Sequence, residues 1–334
     1  MRKITFRPLL LAVISILILC SPSYAKITPL KVTFIDVGPG DCILIQTPDD
    51  GIKNNGKCEG KIILIDGGEK AGDDNVVIPY LKSHGINTDR PIDVLIMTHS
   101  DKDHVGGLIP VIKNYQVKMI LDPGFNGESN LYKKTFVDAA SKECGAAYYH
   151  PLVGTLISKE GDALDWGSEL QVRVLHSSAE ADEVNNASIV IRLKYGEVSF
   201  LFPGDIAGKD RENKDPSKPP KYAEKELLDK FSGEIRSTVL KVPHHGSETS
   251  STIAFISAVS PRYAIICAGN KEYNGTLLPQ ASVLKRYKDK GIEIYRTDRD
   301  DQDKLTSETP RDDNIIFTTH GTLKGITIEY EELL

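Results

Sequence analysis

Cysteine is scarce in this 334-residue chain, five in all and none at metal-site spacing. That excludes both a disulfide scaffold and a zinc–thiolate site. Basic charge is also in deficit, with 41 Lys and Arg against 47 Asp and Glu. A net charge of −6 does not suit a broad, nonspecific grip on nucleic acid. There is no internal repeat and no linker strong enough to split the chain. No Ser-His-Asp or reactive-cysteine arrangement is evident either. Ser247 follows two histidines but lacks the strand-to-helix elbow of a hydrolase nucleophile.

The first 25 residues differ from the rest. Arg2, Lys3 and Arg7 precede an apolar stretch from Leu9 to Cys20 and the small-residue segment Ser21-Pro22-Ser23-Tyr24-Ala25. This reads as a signal peptide over 1–25, cleaved before Lys26, and implies a secreted or periplasmic protein with no stable membrane span after cleavage. The alternative is a retained membrane anchor over residues 9–20, which is short for a span. Cleavage lowers the net charge to about −9. It leaves Cys42, Cys58, Cys144 and Cys267, with one or two disulfides open to them. One domain is expected over 26–334.

Short β-rich apolar runs alternate with helical patterns after an opening strand–turn–strand, which predicts an α/β (α+β) fold of two mixed sheets flanked by helices. A single helix is predicted over Val105 to Asn114, and surface loops over Phe125 to Asn130, Lys209 to Lys221 and Arg299 to Asp313. The tyrosines at 148, 149, 263, 273, 287 and 295 read as packing residues. Asp36, Asp41 and Asp66, beside glycines at strand ends, read as turn aspartates bonding backbone N–H groups.

The chemistry concentrates in THSDKDHVGG, residues 98–107, directly after the apolar run Val94 to Met97. His99, Asp101, Asp103 and His104 form a pattern that chance supplies in fewer than roughly one chain in a thousand of this length. Imidazole and carboxylate together suit Zn²⁺ or Mn²⁺. A helix cap would explain one aspartate but neither histidine. One loop cannot close a dinuclear site, so further ligands must come from distant strand ends. Asp205 in FLFPGD and the His244-His245 pair in LKVPHHGSETS are the candidates.

Those motifs, with IDVGPGDCILIQ, ILIDGG and NNASIVIRLKYGEVSFLFPGD, occur in an order that resembles the metallo-β-lactamase superfamily over about Lys31 to Glu329. Within it, the chain is most similar to the hydrolase domain of ComEC-type competence proteins and their free-standing relatives. The resemblance implies an αββα sandwich with its site at one edge and two divalent ions, Zn or Mn. It implies His99, Asp101, Asp103, His104, Asp205 and His245 as metal ligands, with Asp205 bridging. His244 would face substrate, so that Asp103, Asp205 and His244 are the catalytic residues and Ser247 a further substrate contact. Asn186 stands where many members carry another histidine and is expected to be a weak ligand; His176 is the candidate substitute, although a strand-end histidine is more often simply hydrogen bonded. Pro39 replaces the Gln of the ComEC-like pattern, and Asn274 replaces a loop histidine. Asp101, where many members have His, makes the pocket favour oxygen ligands.

The expected activity is hydrolysis of a phosphodiester substrate, DNA included, by a metal-bridging hydroxide in a phosphodiesterase or nuclease-like enzyme. The alternatives are a phosphoesterase on lipid headgroups or cell-wall polymers, a lactamase, and a noncatalytic binding protein retaining the fold.

Overall fold

The run Ile62-Ile63-Leu64-Ile65 has no polar side to offer water, and its four side chains are all buried. A strand covered on both faces requires such a sequence. In the computed structural model it is β3 (Ile62–Ile65), preceded by the antiparallel strands β1 (Leu30–Phe34) and β2 (Ile43–Gln46). The parallel strands β4 (Val94–Ile96), β5 (Met119–Leu121) and β6 (Ala147–Tyr149) continue the sheet. Their outer face is covered by α1 (Val77–Ser83), α2 (Lys102–Val105), α3 (Leu108–Asn114) and α4 (Leu131–Ala139).

The second sheet begins with an antiparallel meander, β7 (Leu170–His176), β8 (Val190–Tyr195) and β9 (Val198–Phe202). β10 (Val239–Lys241) and β11 (Tyr263–Ile266) follow in parallel. A small hairpin, β12 (Glu272–Tyr273) with β13 (Thr276–Leu277), intervenes before β14 (Glu293–Arg296) completes the sheet. Helices α5 (Tyr222–Phe231), α6 (Ile253–Val259) and α7 (Ala281–Asp289) pack outside it. The chain then returns to the first sheet, where β15 (Asn314–Thr319) pairs with β1 and β16 (Thr327–Glu331) forms the edge. Between the sheets lies a dry layer in which Phe200 meets Phe317 edge to face at 4.9 Å. The architecture is the expected αββα sandwich. The described residues are 27–52, 58–72, 74–125, 131–141, 145–154, 166–213, 215–269, 272–273, 275–299 and 313–331. Residues 1–25, Cys144, Asn274 and most of the loops at 125–130 and 299–313 lie outside them.

Three local differences from the sequence reading bear on the site. The helix expected over Val105 to Asn114 is broken at Gly106-Gly107 into α2 and α3. A Cβ on Gly107 would stand 1.8 Å from the Gly67 carbonyl oxygen, so this loop docks backbone to backbone on the ILIDGG turn. The β12–β13 hairpin, taken for loop, carries Tyr273 to the site. Cys42, Cys58 and Cys267 are free, buried thiols, so no disulfide forms among the described residues. None of the described helices is long and apolar enough to cross a membrane.

Candidate metal centre

The side chains that follow β3, β4, β9, β10 and β11 meet at one edge of the sandwich. His104, in α2, points its Nε2 at Nε2 of His245, 3.3 Å away, and at Oδ2 of Asp205, 3.2 Å away. His245 Nε2 lies 3.1 Å from the same Asp205 oxygen and 3.7 Å from Asp103 Oδ2. The opposite ring nitrogens are already engaged. His245 Nδ1 donates to the carbonyl of Cys267 at 2.9 Å, and His104 Nδ1 to Asp66 Oδ2 at 2.8 Å. In the neutral tautomers this leaves two imidazole lone pairs and a carboxylate facing one another with no hydrogen between them. Such a donor set fits a cation.

His99 repeats the arrangement. Thr98 Oγ1 gives its hydrogen to Asp66 Oδ2 at 2.6 Å and therefore accepts from His99 Nδ1 at 3.0 Å. His99 Nε2 is consequently a lone pair, and it is buried without a hydrogen-bond partner. His99, His104 and Asp205 present ligand atoms within 4.8 Å of one another, as do Asp103, His104 and His245. Asp101 stands at the rim, with its Oδ2 3.6 Å from His99 Nε2 and its side chain 38% exposed. Asp66 thus orients both histidines of the loop, the place where a metal-binding imidazole usually finds its carboxylate. The turn reading of Asp66 was incomplete: it accepts the Thr98 backbone N–H at 2.8 Å and also carries the imidazoles. Asp36 is a turn aspartate as expected, accepting from Gly38 N–H at 3.0 Å.

Local backbone geometry places the second-sheet groups. Gly204, at φ +58°, packs where a Cβ would lie 2.8 Å from Ser188 Oγ, and the turn presents Asp205 inward. The Asp205 N–H donates to Ser188 Oγ at 3.1 Å. His244 and His245 both adopt left-handed φ, +51° and +50°. That conformation is uncommon away from glycine and turns the two rings to different sides. His245 enters the cluster, whereas His244 Nδ1 meets Thr249 Oγ1 at 2.9 Å and its ring lines the mouth.

The electrostatics favour added positive charge. Burial opposes the charge on Asp205, but His245, His104 and Lys241 outweigh it and hold the carboxyl well below its ordinary value. Asp103 is lowered to about 2 by His104, His245 and His99 against the same opposition. His245 is pushed up to about 10, burial notwithstanding, by Asp205 and Asp41, and His104 rises through Asp205 and Asp66. His244 goes the other way, to about 4, because burial is reinforced by the charges of His245, His99 and Lys241.

The sequence reading missed Lys241 and Tyr273. Lys241 is fully buried at the end of β10, ion-paired to Asp41 and 3.2 Å from Asp205 Oδ1. Burial opposes its charge, yet these two carboxylates hold the ammonium above its ordinary value. A lone lysine inside an apolar strand that ends at two histidines was the available signal. Tyr273, read as packing, donates its hydroxyl to Asp103 Oδ2 at 2.9 Å and stacks near His245. Asn186 accepts the Ala207 N–H on its Oδ1 at 3.0 Å. His176 is hydrogen bonded to the Ser188 carbonyl at 2.9 Å, and Ser247 Oγ pairs with Thr249 Oγ1 at 3.0 Å at the pocket wall.

The sequence profile described as the metallo-beta-lactamase superfamily matches residues 35–270. The chain is 31% identical to ComE operon protein 3 of Bacillus subtilis (strain 168) over 286 residues, 80% of this chain and 32% of that protein. It is 28% identical to competence protein ComA of Neisseria gonorrhoeae, over 80% of this chain and 31% of that one. It therefore spans about a third of the length of these curated relatives. Among solved structures, Zn²⁺-bound PqqB from Methylobacterium extorquens aligns over 79% of this chain and 97% of its own, at 10% identity and a TM-score of 0.41.

Proposed function

The chain belongs to the metallo-β-lactamase superfamily, and from that membership we propose that it is a dinuclear metal-dependent phosphodiesterase. The observation that carries the proposal is the meeting of His104 Nε2, His245 Nε2 and Asp205 Oδ2 within 3.3 Å, three electron-pair donors in the neutral tautomers of the two histidines. Asp103, His104 and His245 would hold one ion, His99 and Asp101 the other, and Asp205 would touch both. Bound there, divalent cations supply Lewis acidity and an activated water.

The chain's own groups do the rest. Asp66 and Thr98 fix the tautomers of His104 and His99, so their lone pairs face inward. Lys241 balances Asp41 and Asp205 from behind. His244, kept neutral, borders the pocket and offers a hydrogen-bonding ring to substrate without adding charge. Three carboxylates in the ligand set favour oxygen-rich substrates and admit Mn²⁺ beside Zn²⁺. The relatives are named for competence, which directs the phosphodiester reading to DNA. The signal-peptide pattern of residues 1–25 supports a location outside the cytoplasm.

The test is hydrolysis of bis(p-nitrophenyl) phosphate, plasmid and single-stranded DNA with Zn²⁺ or Mn²⁺. Turnover is expected, together with a loss of about 10⁴-fold, some 5 kcal/mol, in Asp205→Ala. Metal-loaded protein that cleaves none of these, or an unchanged rate in the variant, would overturn the proposal. The net negative charge favours one second reading, a phosphoesterase on lipid headgroups or cell-wall polymers. Steep loss of activity with salt distinguishes DNA from these smaller substrates.

A further inference from the structure

Beside the metal pocket lies a second cavity of about 300 Å³, and the two share His244 and Arg211 on their walls. We propose that this second cavity is a nucleoside subsite. Tyr222 and His244 would form its aromatic wall, against which the base next to the scissile phosphate lies, and Arg211 would take a phosphate oxygen at the shared rim. The inference rests on the phosphodiesterase reading and narrows it to single-stranded or short nucleotide substrates.

Size comes first. The metal pocket, about 140 Å³, has room for the reacting phosphate and little else, whereas 300 Å³ is at the lower end of small-ligand sites. Cation availability comes second. Lys209, also on the cavity wall, is tied to Glu248 at 2.9 Å and to the Asn213 carbonyl. Arg211 has no hydrogen-bond or ion-pair partner among the described residues, and it is exposed and lines both cavities.

The third observation is independent of these. Tyr222 and His244 both have left-handed backbone, φ +52° and +51°. Each costs about 1–2 kcal/mol for a residue with a side chain. Such strain gathers at ligand sites, and here two residues with left-handed backbone border one cavity. Tyr222 is further fixed by the hydrogen bond from its hydroxyl to Asp210. Stacking of a base on an aromatic ring contributes about 1–3 kcal/mol and tolerates any base, because every base has a π face. The acidic chain lacks the cationic track that a long duplex would need. One arginine and a cavity of about 300 Å³ suit an unpaired strand or a short oligonucleotide.

The test is calorimetric binding of thymidine 5′-monophosphate and of inorganic phosphate to the Mn²⁺-loaded protein. The nucleotide is expected to bind at least tenfold more tightly than phosphate. Tyr222→Asn, chosen because asparagine tolerates the left-handed backbone, should erase about tenfold of that advantage, and Arg211→Ala should weaken both ligands. Equal binding of the two ligands by the wild type overturns the subsite. So does an undiminished advantage in a Tyr222→Asn protein whose melting curve shows it folded, or tighter binding of glycerol phosphate than of the nucleotide. Should the variant not fold, the wild-type comparison and Arg211→Ala still decide. Hydrolysis of bis(p-nitrophenyl) phosphate is read separately. Turnover without a nucleotide advantage defeats the subsite alone, and a nucleotide advantage without turnover defeats the phosphodiesterase reading alone.

Discussion

The loop after β4 and the loop after β10 each bring a histidine Nε2 to Asp205, at 3.2 and 3.1 Å, and they are held in place by different means. The first is held by one turn and one carboxylate. Its glycines dock on the ILIDGG turn, and one carboxylate, Asp66, orients both of its histidines. The second depends on several partners, drawn from the end of β11 and from α5 and α7. Its His245 ring is aimed by a backbone carbonyl, that of Cys267. The segment after the pair is tied down by Glu224, which accepts from Ser251 and Thr252, and by Arg286, which pairs with Glu248 and donates to the carbonyls of Ser250 and Ser251. A loop of the first kind is fragile at a single side chain that controls metal affinity. A loop of the second kind is fragile in the stability of the fold around it.

The largest expected break is therefore on the second side. Lys241→Ala leaves Asp41 and Asp205 buried without their ammonium, a loss of about 3–5 kcal/mol in urea denaturation of chelator-treated protein. Adding Asp41→Asn should return part of that loss. If the single substitution costs under 1 kcal/mol, β10 is not anchored in this way.

Next comes Glu224, whose carboxyl burial pushes up to about 7, the Thr252 and Ser251 donors and Arg286 opposing. The folded chain thus binds this proton more tightly than the unfolded chain. The resulting stability is fully present below about pH 4.5, and it is lost as pH rises to about 7, with no further change above. Glu224→Gln should remove that dependence. Its stability relative to wild type should then improve by about 3 kcal/mol between pH 4.5 and 7.5. Parallel stability curves for the two proteins would contradict the burial of an ionisable carboxyl there.

The smallest effect falls on the first loop. Asp66→Asn should keep the fold yet weaken divalent metal binding about 10- to 100-fold, measured by competition with a chelator. An unchanged affinity would remove Asp66 from its orienting role. Behind His245 the matching place is taken by the backbone carbonyl of Cys267, with Asp41 Oδ1 3.3 Å from the same Nδ1.

The same contrast explains what could be read from the sequence. His99, Asp101, Asp103 and His104 were legible because their loop writes its ligands contiguously. Asp205 and the histidine pair followed because each ends an apolar strand. The two sheets were legible because runs such as Ile62 to Ile65 are buried on both faces. Lys241, Tyr273 and the full role of Asp66 were not. Their partners Asp41, Asp103 and His104 lie 200, 170 and 38 positions away, and no period links them. The helix break at Gly106-Gly107 was hidden for a similar reason, since it is imposed by the carbonyl of Gly67 rather than by local propensity. Strand β6 carries little apolar signal because its residues are largely exposed, and so does β16, a half-exposed edge.

The central claim is that the cluster around Asp205 holds two divalent ions. Elemental analysis after equilibrium dialysis against Zn²⁺ or Mn²⁺ tests it most directly. Two ions per wild-type chain are expected, falling to about one in His99→Ala, which removes the lone pair buried without a partner. No bound metal in the wild type, or two ions retained when His99 is gone, would contradict it.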